Sequence, residues 1–189
     1  MRQVNLPLPA FPELETPNLR LREMVRSDAE AVFRVFADEE VTRYYDLERF
    51  GNLEEARSHI ANQAIRYRRG DVIRWGISQK ANNVLIGSVG LSIYEANAQG
   101  GLGYELARPY WRRGIMSEAL GMVIRFGFSS LNLNRLQALV MPGNGASAGL
   151  LTKLGFTREG LLREFAFFKG RYQDLYCYSL LRRECRRGE

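Results

Sequence analysis

Residues 103–119 pass from an apolar strand pattern through a proline turn and a basic loop into an amphipathic helix. Main-chain N–H groups at a helix start have no partner within the helix, and the helix dipole adds partial positive charge there. Arg112 and Arg113 place two full positive charges at the same point. The run therefore predicts a binding site for a phosphate group. Since the preceding strand carries a carboxylate, Glu105, we expect an enzyme that uses a phosphorylated cofactor.

Length and composition favour one globular domain. The chain has 189 residues, of which 46% are hydrophobic and 25% charged, both ordinary for a soluble domain. No apolar run approaches the length of about 20 residues that a membrane-spanning helix needs. The first ten residues do not read as a secretory signal. We therefore expect a cytoplasmic protein without a membrane partner.

The metal-binding residue types are few. Two cysteines, Cys177 and Cys185, lie near the end of the sequence, and there is one histidine, His59. This pattern predicts neither a metal site nor a disulfide framework. We expect His59, which falls in a predicted helix, to be a packed or exposed helix residue.

The net charge is +6, with arginines concentrated in three places. The concentrations are 66–69, 112–113 and 182–187. A basic protein of this kind binds a nucleic acid, an anionic cofactor or an acidic partner surface, or it simply carries a solvated basic face.

Hydrophobic periodicity divides the chain into alternating helices and strands. Period-two patterns and turn residues predict strands at 19–22, 72–78, 84–94, 102–107, 135–141, 162–169 and 172–181. Capping residues and period-3.6 patterns predict helices beginning near 29 and spanning 53–69, 113–131 and 144–154. The order describes an α/β domain with a mixed sheet. We expect an extended arm at 1–16, one domain at 17–184 and a basic tail at 185–189.

Several short motifs in this order resemble the GNAT superfamily of acyl-CoA-dependent N-acetyltransferases. The motifs are GYEL at 103–106, YWRRGIMSEA at 110–119, NGAS at 144–147, KLGF at 153–156, EGLLR at 159–163, GRYQD at 170–174 and YSLL at 178–181. Within the superfamily the sequence is most similar to RimJ/RimL-type amino-terminal acetyltransferases of ribosomal proteins. The resemblance implies a single GNAT-like domain, with a mixed, mostly antiparallel sheet of six to seven strands flanked by about four helices.

The same resemblance implies acetyl-CoA as co-substrate and places its diphosphate at the basic loop. The superfamily loop usually reads Arg/Gln-x-x-Gly-x-Gly/Ala, whereas the corresponding residues here are Trp111, Gly114 and Met116. We interpret this departure as a property of the RimJ/RimL-like group, because main-chain N–H groups do the binding. The cofactor contacts implied are Leu106, Arg112, Arg113, Gly114, Ile115, Met116 and Ser117. The alternative is an ordinary strand–turn–helix connection with solvated arginines.

Glu105 is the candidate general base, acting directly or through a water molecule. An α-amino group, with a pKa of about 7.7–8.0, is partly neutral at pH 7, so a modest base suffices for it. The resemblance implies direct attack of the neutral amine on the thioester, with a main-chain N–H near Leu106 stabilising the oxyanion. The alternative for Glu105 is a surface carboxylate on a half-exposed strand.

Ser147 is the second candidate catalytic residue. Many members of the superfamily use a tyrosine as general acid at the position of Leu151 in this sequence. In the RimJ/RimL-like group the related role falls to a serine, here Ser147, which we expect to hydrogen-bond the thiol sulfur. Asn144 is the matching candidate for contact with the pantetheine arm. Both residues also suit a plain helix start.

Aromatic side chains near the predicted strands have two interpretations. Tyr44, Tyr45 and Trp75 either line an acceptor cleft or belong to the core, and core is the commoner outcome. The turn at 169–171 either borders the acceptor or simply closes a hairpin.

The leading hypothesis is transfer of acetyl from acetyl-CoA to the amino terminus of a protein such as a ribosomal protein, with ribosome association as a further expectation. A small-molecule acceptor such as a polyamine, amino sugar or antibiotic is the alternative within enzymes. A catalytically silent acyl-CoA-binding or ribosome-binding module is the alternative outside them. The sequence leaves open whether the protein is a monomer or a homodimer.

Overall fold

The computed structural model describes residues 10–185, whose strands form a single eight-stranded sheet with five α-helices packed around it. The strands are β1 (Leu14–Glu15), β2 (Leu19–Arg22), β3 (Val72–Gln79), β4 (Leu85–Tyr94), β5 (Gln99–Leu106), β6 (Arg135–Val140), β7 (Thr157–Phe168) and β8 (Arg171–Leu181). The helices are α1 (Ala29–Phe36), α2 (Glu39–Thr42), α3 (Leu53–Arg68), α4 (Ile115–Ser129) and α5 (Gly145–Lys153). The order across the sheet is β1-β2-β3-β4-β5-β6-β8-β7.

This architecture confirms the predicted α/β class and the mostly antiparallel sheet. Every neighbouring pair is antiparallel except β5 with β6. The described part of the chain has one strand more than the upper prediction, because Leu14–Glu15 pairs with β2 as the short edge strand β1. Of the predicted arm, 10–16 is described and 1–9 is not. Of the predicted tail, only Cys185 is described.

The sheet has a hydrophobic cluster on each face. On one face α4 packs against β3, where the Trp75 and Phe126 rings lie 5.5 Å apart, edge to face. Because side chains alternate along a strand, Gly76 faces the other way, and a Cβ there would touch Met24 and Leu85 of the second cluster. That cluster is built mainly from α1 and α3. Trp75 is therefore a core residue, with no exposed surface.

The sheet splits between β5 and β6. The two strands pair only along Gln99–Leu102 and Arg135–Ala138. Beyond this point β5 stays with β4 up to Leu106, while β6 stays with β8 up to Val140. The last residues of the two parallel strands therefore border a V-shaped opening in the middle of the sheet.

Strand β5 begins at Gln99, three residues earlier than predicted. Glycine is needed here for close packing rather than for a turn. A Cβ on Gly100 would come within 2.7–3.0 Å of the side chains of Leu91, Leu136 and Leu133. The glycine therefore permits the tight approach of β4, β5 and β6 above the split.

Candidate active site

The loop between β5 and α4 leaves a row of main-chain N–H groups unpaired. Arg112 and Gly114 both have left-handed backbone conformations, with φ of 58° and 77°. These conformations delay the start of α4 to Ile115, two residues later than predicted. Among the described residues, no acceptor receives a hydrogen bond from the N–H groups of 112–117, and the first paired amide is that of Glu118, bound to Gly114 O at 3.0 Å. Unpaired N–H groups at a helix start suit a phosphate group, and the assignment of this loop to the diphosphate stays a prediction.

Trp111 fixes this loop to the end of β5. Its indole N–H donates to the carbonyl of Leu106 at 2.6 Å. The N–H of Ala107 donates in the opposite direction, to Ile86 on β4, at 2.8 Å. Since N–H groups alternate sides along a strand, those of Leu106 and Tyr104 point towards the split. The N–H of Leu106 is therefore placed at the opening, beside the loop.

A buried ion pair lies on the floor of the cleft. Arg74 Nη1 donates to Glu105 Oε2 at 2.9 Å and to Ser88 Oγ at 2.7 Å. Ser88 in turn donates to Glu105 Oε1 through a short hydrogen bond. Arg74 Nη2 donates to the hydroxyl of Tyr45 at 2.9 Å. Glu105 is only 5% exposed, so the alternative of a surface carboxylate is wrong.

Two glycines make room for the Arg74 side chain. A Cβ on Gly90 would lie 2.9–3.1 Å from the guanidinium, and one on Gly103 would lie 3.5 Å from Nη2. Gly90 and Gly103 face each other on β4 and β5, and Gly90 also faces Arg74 on β3. The Arg74 side chain therefore extends across β4 to reach Glu105 on β5. Burial raises the pKa of Tyr45, so its phenol stays neutral.

On the other side of the split, Ser147 contacts a tyrosine of β5. The hydroxyls of Ser147 and Tyr104 lie 2.7 Å apart. Burial raises the pKa of Tyr104 to about 12, although the hydrogen bond with Ser147 opposes this shift. The cap of α5 is Asn144, whose Oδ1 accepts from the N–H of Ser147 at 3.1 Å. The hydroxyl of Ser147 is thus directed to β5 rather than used as the helix cap.

These features meet in one cleft of about 1600 Å³. All ten predicted site residues line it: Glu105, Leu106, Arg112, Arg113, Gly114, Ile115, Met116, Ser117, Asn144 and Ser147. Arg74 and Tyr104 also line it, and the sequence analysis did not select them. An arginine in the apolar strand 72–77 was the available signal, because a buried cation needs a partner.

Other residues that the sequence left open now have defined positions. Tyr44 and Tyr45 line the cleft. Lys169 does more than close a hairpin, because its Nζ donates to the carbonyl of Thr42 at 2.6 Å and joins the β7–β8 turn to α2. His59 also lines the cleft, and burial, with the nearby charges of Arg74 and Arg66, lowers its pKa to about 4.

Between 10 and 185 there is no cluster of three or more His, Cys, Asp or Glu residues that could hold a metal ion. Over the same range no helix is long and apolar enough to cross a bilayer.

The sheet opens at its parallel pair, β5 with β6, and a helix start suited to anions lies beside the opening. Together these two features define a class of acyl-CoA-dependent transferases. Residues 18–157 match the family described as Acetyltransferase (GNAT) domain. The chain belongs to this family, and the prediction of an acetyl-CoA-dependent N-acetyltransferase is confirmed.

Sequence similarity to two relatives extends over nearly the whole chain. The chain is 40% identical over 173 residues to YoaA of Bacillus subtilis (strain 168), an uncharacterized N-acetyltransferase, covering 91% of this chain and 98% of YoaA. It is also 40% identical over 172 residues to the N-acetyltransferase p20 of Bacillus licheniformis, covering 90% and 97%. An acetyltransferase (GNAT family) from Bacillus anthracis has the same fold, with a TM-score of 0.82, 23% identity and coverage of 92% and 100%.

Proposed function

We propose that the protein transfers acetyl from acetyl-CoA directly to the α-amino group of a protein amino terminus. The main observation behind this proposal is the hydrogen bonding of Glu105. One of its carboxylate oxygens accepts from Arg74 and the other from Ser88. These two hydrogen bonds fix the carboxylate on the floor of the cleft, where it can take a proton from an amine. An α-amino group, with a pKa of about 7.7–8.0, is partly neutral at pH 7, so it needs less help from a base than a lysine side chain near 10.4.

In this proposal the loop 112–117 binds the diphosphate of acetyl-CoA. Its unpaired N–H groups and the charges of Arg112 and Arg113 are complementary to two phosphates. The N–H of Leu106 points into the split, where it can donate to the thioester carbonyl as negative charge develops on the oxygen. We assign contact with the pantetheine arm to Asn144, which lines the cleft at the start of α5.

Ser147 and Tyr104 serve the leaving sulfur. Their hydroxyls form one hydrogen-bonded pair on the α5 side of the split. Each hydroxyl can donate one hydrogen bond, so the pair can bind one another and still present one O–H to a thiolate. Because the pKa of Tyr104 is raised to about 12, we assign the pair hydrogen bonding rather than complete proton donation.

Charge in the acceptor end of the cleft favours a peptide over a polycation. Among the described residues, the one buried carboxylate that lines the cleft, Glu105, is paired with Arg74. The other two lining carboxylates, Glu40 and Asp46, are outnumbered by the lining arginines and lysine, so little negative field remains to attract a polyamine. A relative whose acceptor is known also supports a peptide acceptor. The chain is 34% identical over 73 residues to the [Ribosomal protein uS5]-alanine N-acetyltransferase of Escherichia coli (strain K12), covering 39% of this chain and 38% of that enzyme. Cytoplasmic location and ribosome association would follow from a ribosomal acceptor.

A thiol-release assay with acetyl-CoA tests the proposal. The acceptors are peptides with a free amino terminus, the same peptides blocked at the amino terminus but carrying an internal lysine, and a panel of polyamines, amino sugars and aminoglycosides. We expect turnover of free amino termini alone. Preferential turnover of a small amine would contradict the proposal. Binding of acetyl-CoA without turnover of any amine would support the silent module.

The identity of the acceptor is tested separately. Ribosomal proteins are incubated with the enzyme and acetyl-CoA, and intact masses are compared with and without enzyme. We expect a mass increase of one acetyl group, located at the amino terminus of one or a few proteins. A shift that maps to internal lysines would contradict the proposal.

A further inference from the structure

Three residues that line the cleft carry buried polar atoms without a hydrogen-bond partner. Among the described residues, four buried side-chain atoms have no hydrogen-bond partner: His59 Nε2, Gln63 Oε1, Arg74 Nε and Glu118 Oε1. The first three belong to residues that line the cleft. Buried polar groups in folded proteins are nearly always paired, so three exceptions in one cavity indicate groups that pair with a ligand.

The three residues belong to two elements, α3 and β3, that border the cleft. His59 and Gln63 are four residues apart in α3, and they therefore lie on one face of the helix. Arg74 lies on the adjacent strand β3, with its Nε 3.0 Å from the position that a Cβ on Gly90 would occupy. Its two terminal nitrogens are committed to Glu105, Ser88 and Tyr45, and only Nε is left.

Packing accounts for part of this arrangement but not for the free atoms. The ring of His59 lies 5.0 Å from that of Phe36 and 5.8 Å from that of Phe50, so the imidazole has an aromatic environment. Burial and the charges of Arg74 and Arg66 lower its pKa to about 4, which keeps the ring neutral at pH 7. A packing role explains the position of the ring. It does not explain why Nε2 and the oxygen of Gln63 are both buried beside the cleft.

We propose that His59, Gln63 and Arg74 form a subsite that binds the first peptide group of the acceptor. Arg74 Nε–H donates to the carbonyl oxygen, and Gln63 Oε1 accepts from the amide N–H. His59 Nε2 contacts the same segment of main chain. A peptide group has one donor and one acceptor, and in the trans form they point to opposite sides. Here the acceptor comes from α3 and the donor from β3. This subsite rests on the proposed function, and it deepens that function by selecting acceptors with an amide next to the reacting amine.

The test uses a peptide that the acceptor screen shows to be a substrate, together with its analogue in which an (E)-alkene replaces the first peptide bond. The analogue keeps the shape but has neither the carbonyl nor the N–H. The readout is the ratio of kcat/KM for peptide to kcat/KM for analogue, measured in the wild type and in Gln63→Met. Because the alkene also changes the pKa of the amine, the ratios are compared between proteins and not interpreted alone.

We expect Gln63→Met to lower the ratio about tenfold, the effect of one lost hydrogen bond, with kcat/KM for the analogue unchanged. His59→Phe, which preserves the aromatic packing, should lower the ratio in the same direction. Arg57→Met, on the exposed side of α3, is the matched control and should leave the ratio unchanged. Thermal unfolding of each variant confirms that it is folded.

The outcomes separate the subsite from the proposed function. If Gln63→Met leaves the ratio unchanged, or slows peptide and analogue equally, the subsite is overturned while transfer to peptide amino termini stands. If no peptide is acetylated but a small amine is, the proposed function fails and the subsite falls with it.

Discussion

The hydroxyls of Tyr104 and Ser147, 2.7 Å apart, connect β5 to α5 across the split in the sheet. Glu105 follows Tyr104 directly in β5, and its side chain points to the opposite face of the sheet. There it pairs with Arg74. In the proposed mechanism, two consecutive residues of one strand therefore meet the two chemical needs of acyl transfer to an amine. Tyr104, with Ser147, would serve the leaving sulfur, and Glu105 would serve the attacking nitrogen.

Removal of the Ser147 hydroxyl tests the role of this pair. Because Asn144 caps α5 by its own side chain, Ser147→Ala should leave the helix intact. We expect kcat to fall about tenfold, the effect of one hydrogen bond to the sulfur, with little change in the affinity for CoA. The measurement is steady-state kinetics together with calorimetric titration of CoA.

Tyr104→Phe provides the comparison for that variant. If the two hydroxyls act as a pair, the double variant should be no slower than the slower single variant. Unchanged kcat in Ser147→Ala would show that its hydroxyl has no part in the reaction.

Glu105→Gln tests the proposed base. We expect kcat/KM for the acceptor to fall about a hundredfold, because the amide cannot take a proton. The affinity for acetyl-CoA should stay nearly the same. Unfolding should occur at lower temperature, since Arg74 loses its buried counter-charge, so activity is assayed well below that temperature. Turnover equal to that of the wild type would remove Glu105 from the mechanism.

The conformation of Gly114 gives a prediction about the diphosphate loop. Its φ is 77°, and a Cβ there would touch nothing within 4 Å, so the penalty for a side chain is in the backbone alone. We expect Gly114→Ala to lower the free energy of unfolding by about 1 kcal/mol and to weaken CoA binding.

Gly121→Ala is the matched control, because Gly121 lies inside α4 and has room for a Cβ 3.8 Å from Arg125. This substitution should raise the free energy of unfolding by about 0.4–1 kcal/mol, with CoA affinity unchanged. Equal effects of the two substitutions would contradict a special role for the loop.

The neutral His59 predicts a pH dependence of stability. Its pKa falls from 6.5 to about 4 on folding, so between these values the unfolded chain binds a proton that the folded protein does not. Stability therefore decreases as pH falls from 6.5 to 4 and is independent of this group above 6.5. In His59→Phe this component should be absent. Denaturant unfolding at pH 7.5 and pH 5 measures it, and an identical pH response in both proteins would contradict the assignment.

The helix-start loop was predictable because its signals are local. A strand pattern, a proline, two arginines and a glycine lie within 17 residues, 103–119, and each acts on its own neighbourhood. Hence the loop, the start of α4 within two residues, and the cap at Asn144 could all be derived from the sequence.

The buried network could not be derived in this way. Arg74 contacts Glu105 and Tyr45, which are 31 and 29 residues away in the sequence, and Tyr104 contacts Ser147, 43 residues away. Such contacts depend on which strands become neighbours. The pairing of β4 with β5 brings Gly90 opposite Gly103. An arginine can be placed over these glycines only when that pairing is known.

The proposed function depends on binding of the CoA diphosphate by the unpaired N–H groups of 112–117. The direct measurement is calorimetric titration of the purified protein with CoA and, in parallel, with pantetheine, which lacks the diphosphate. We predict saturable heat with CoA and at least tenfold weaker binding of pantetheine. An absence of heat with CoA, or equal affinity for the two compounds, would contradict the account.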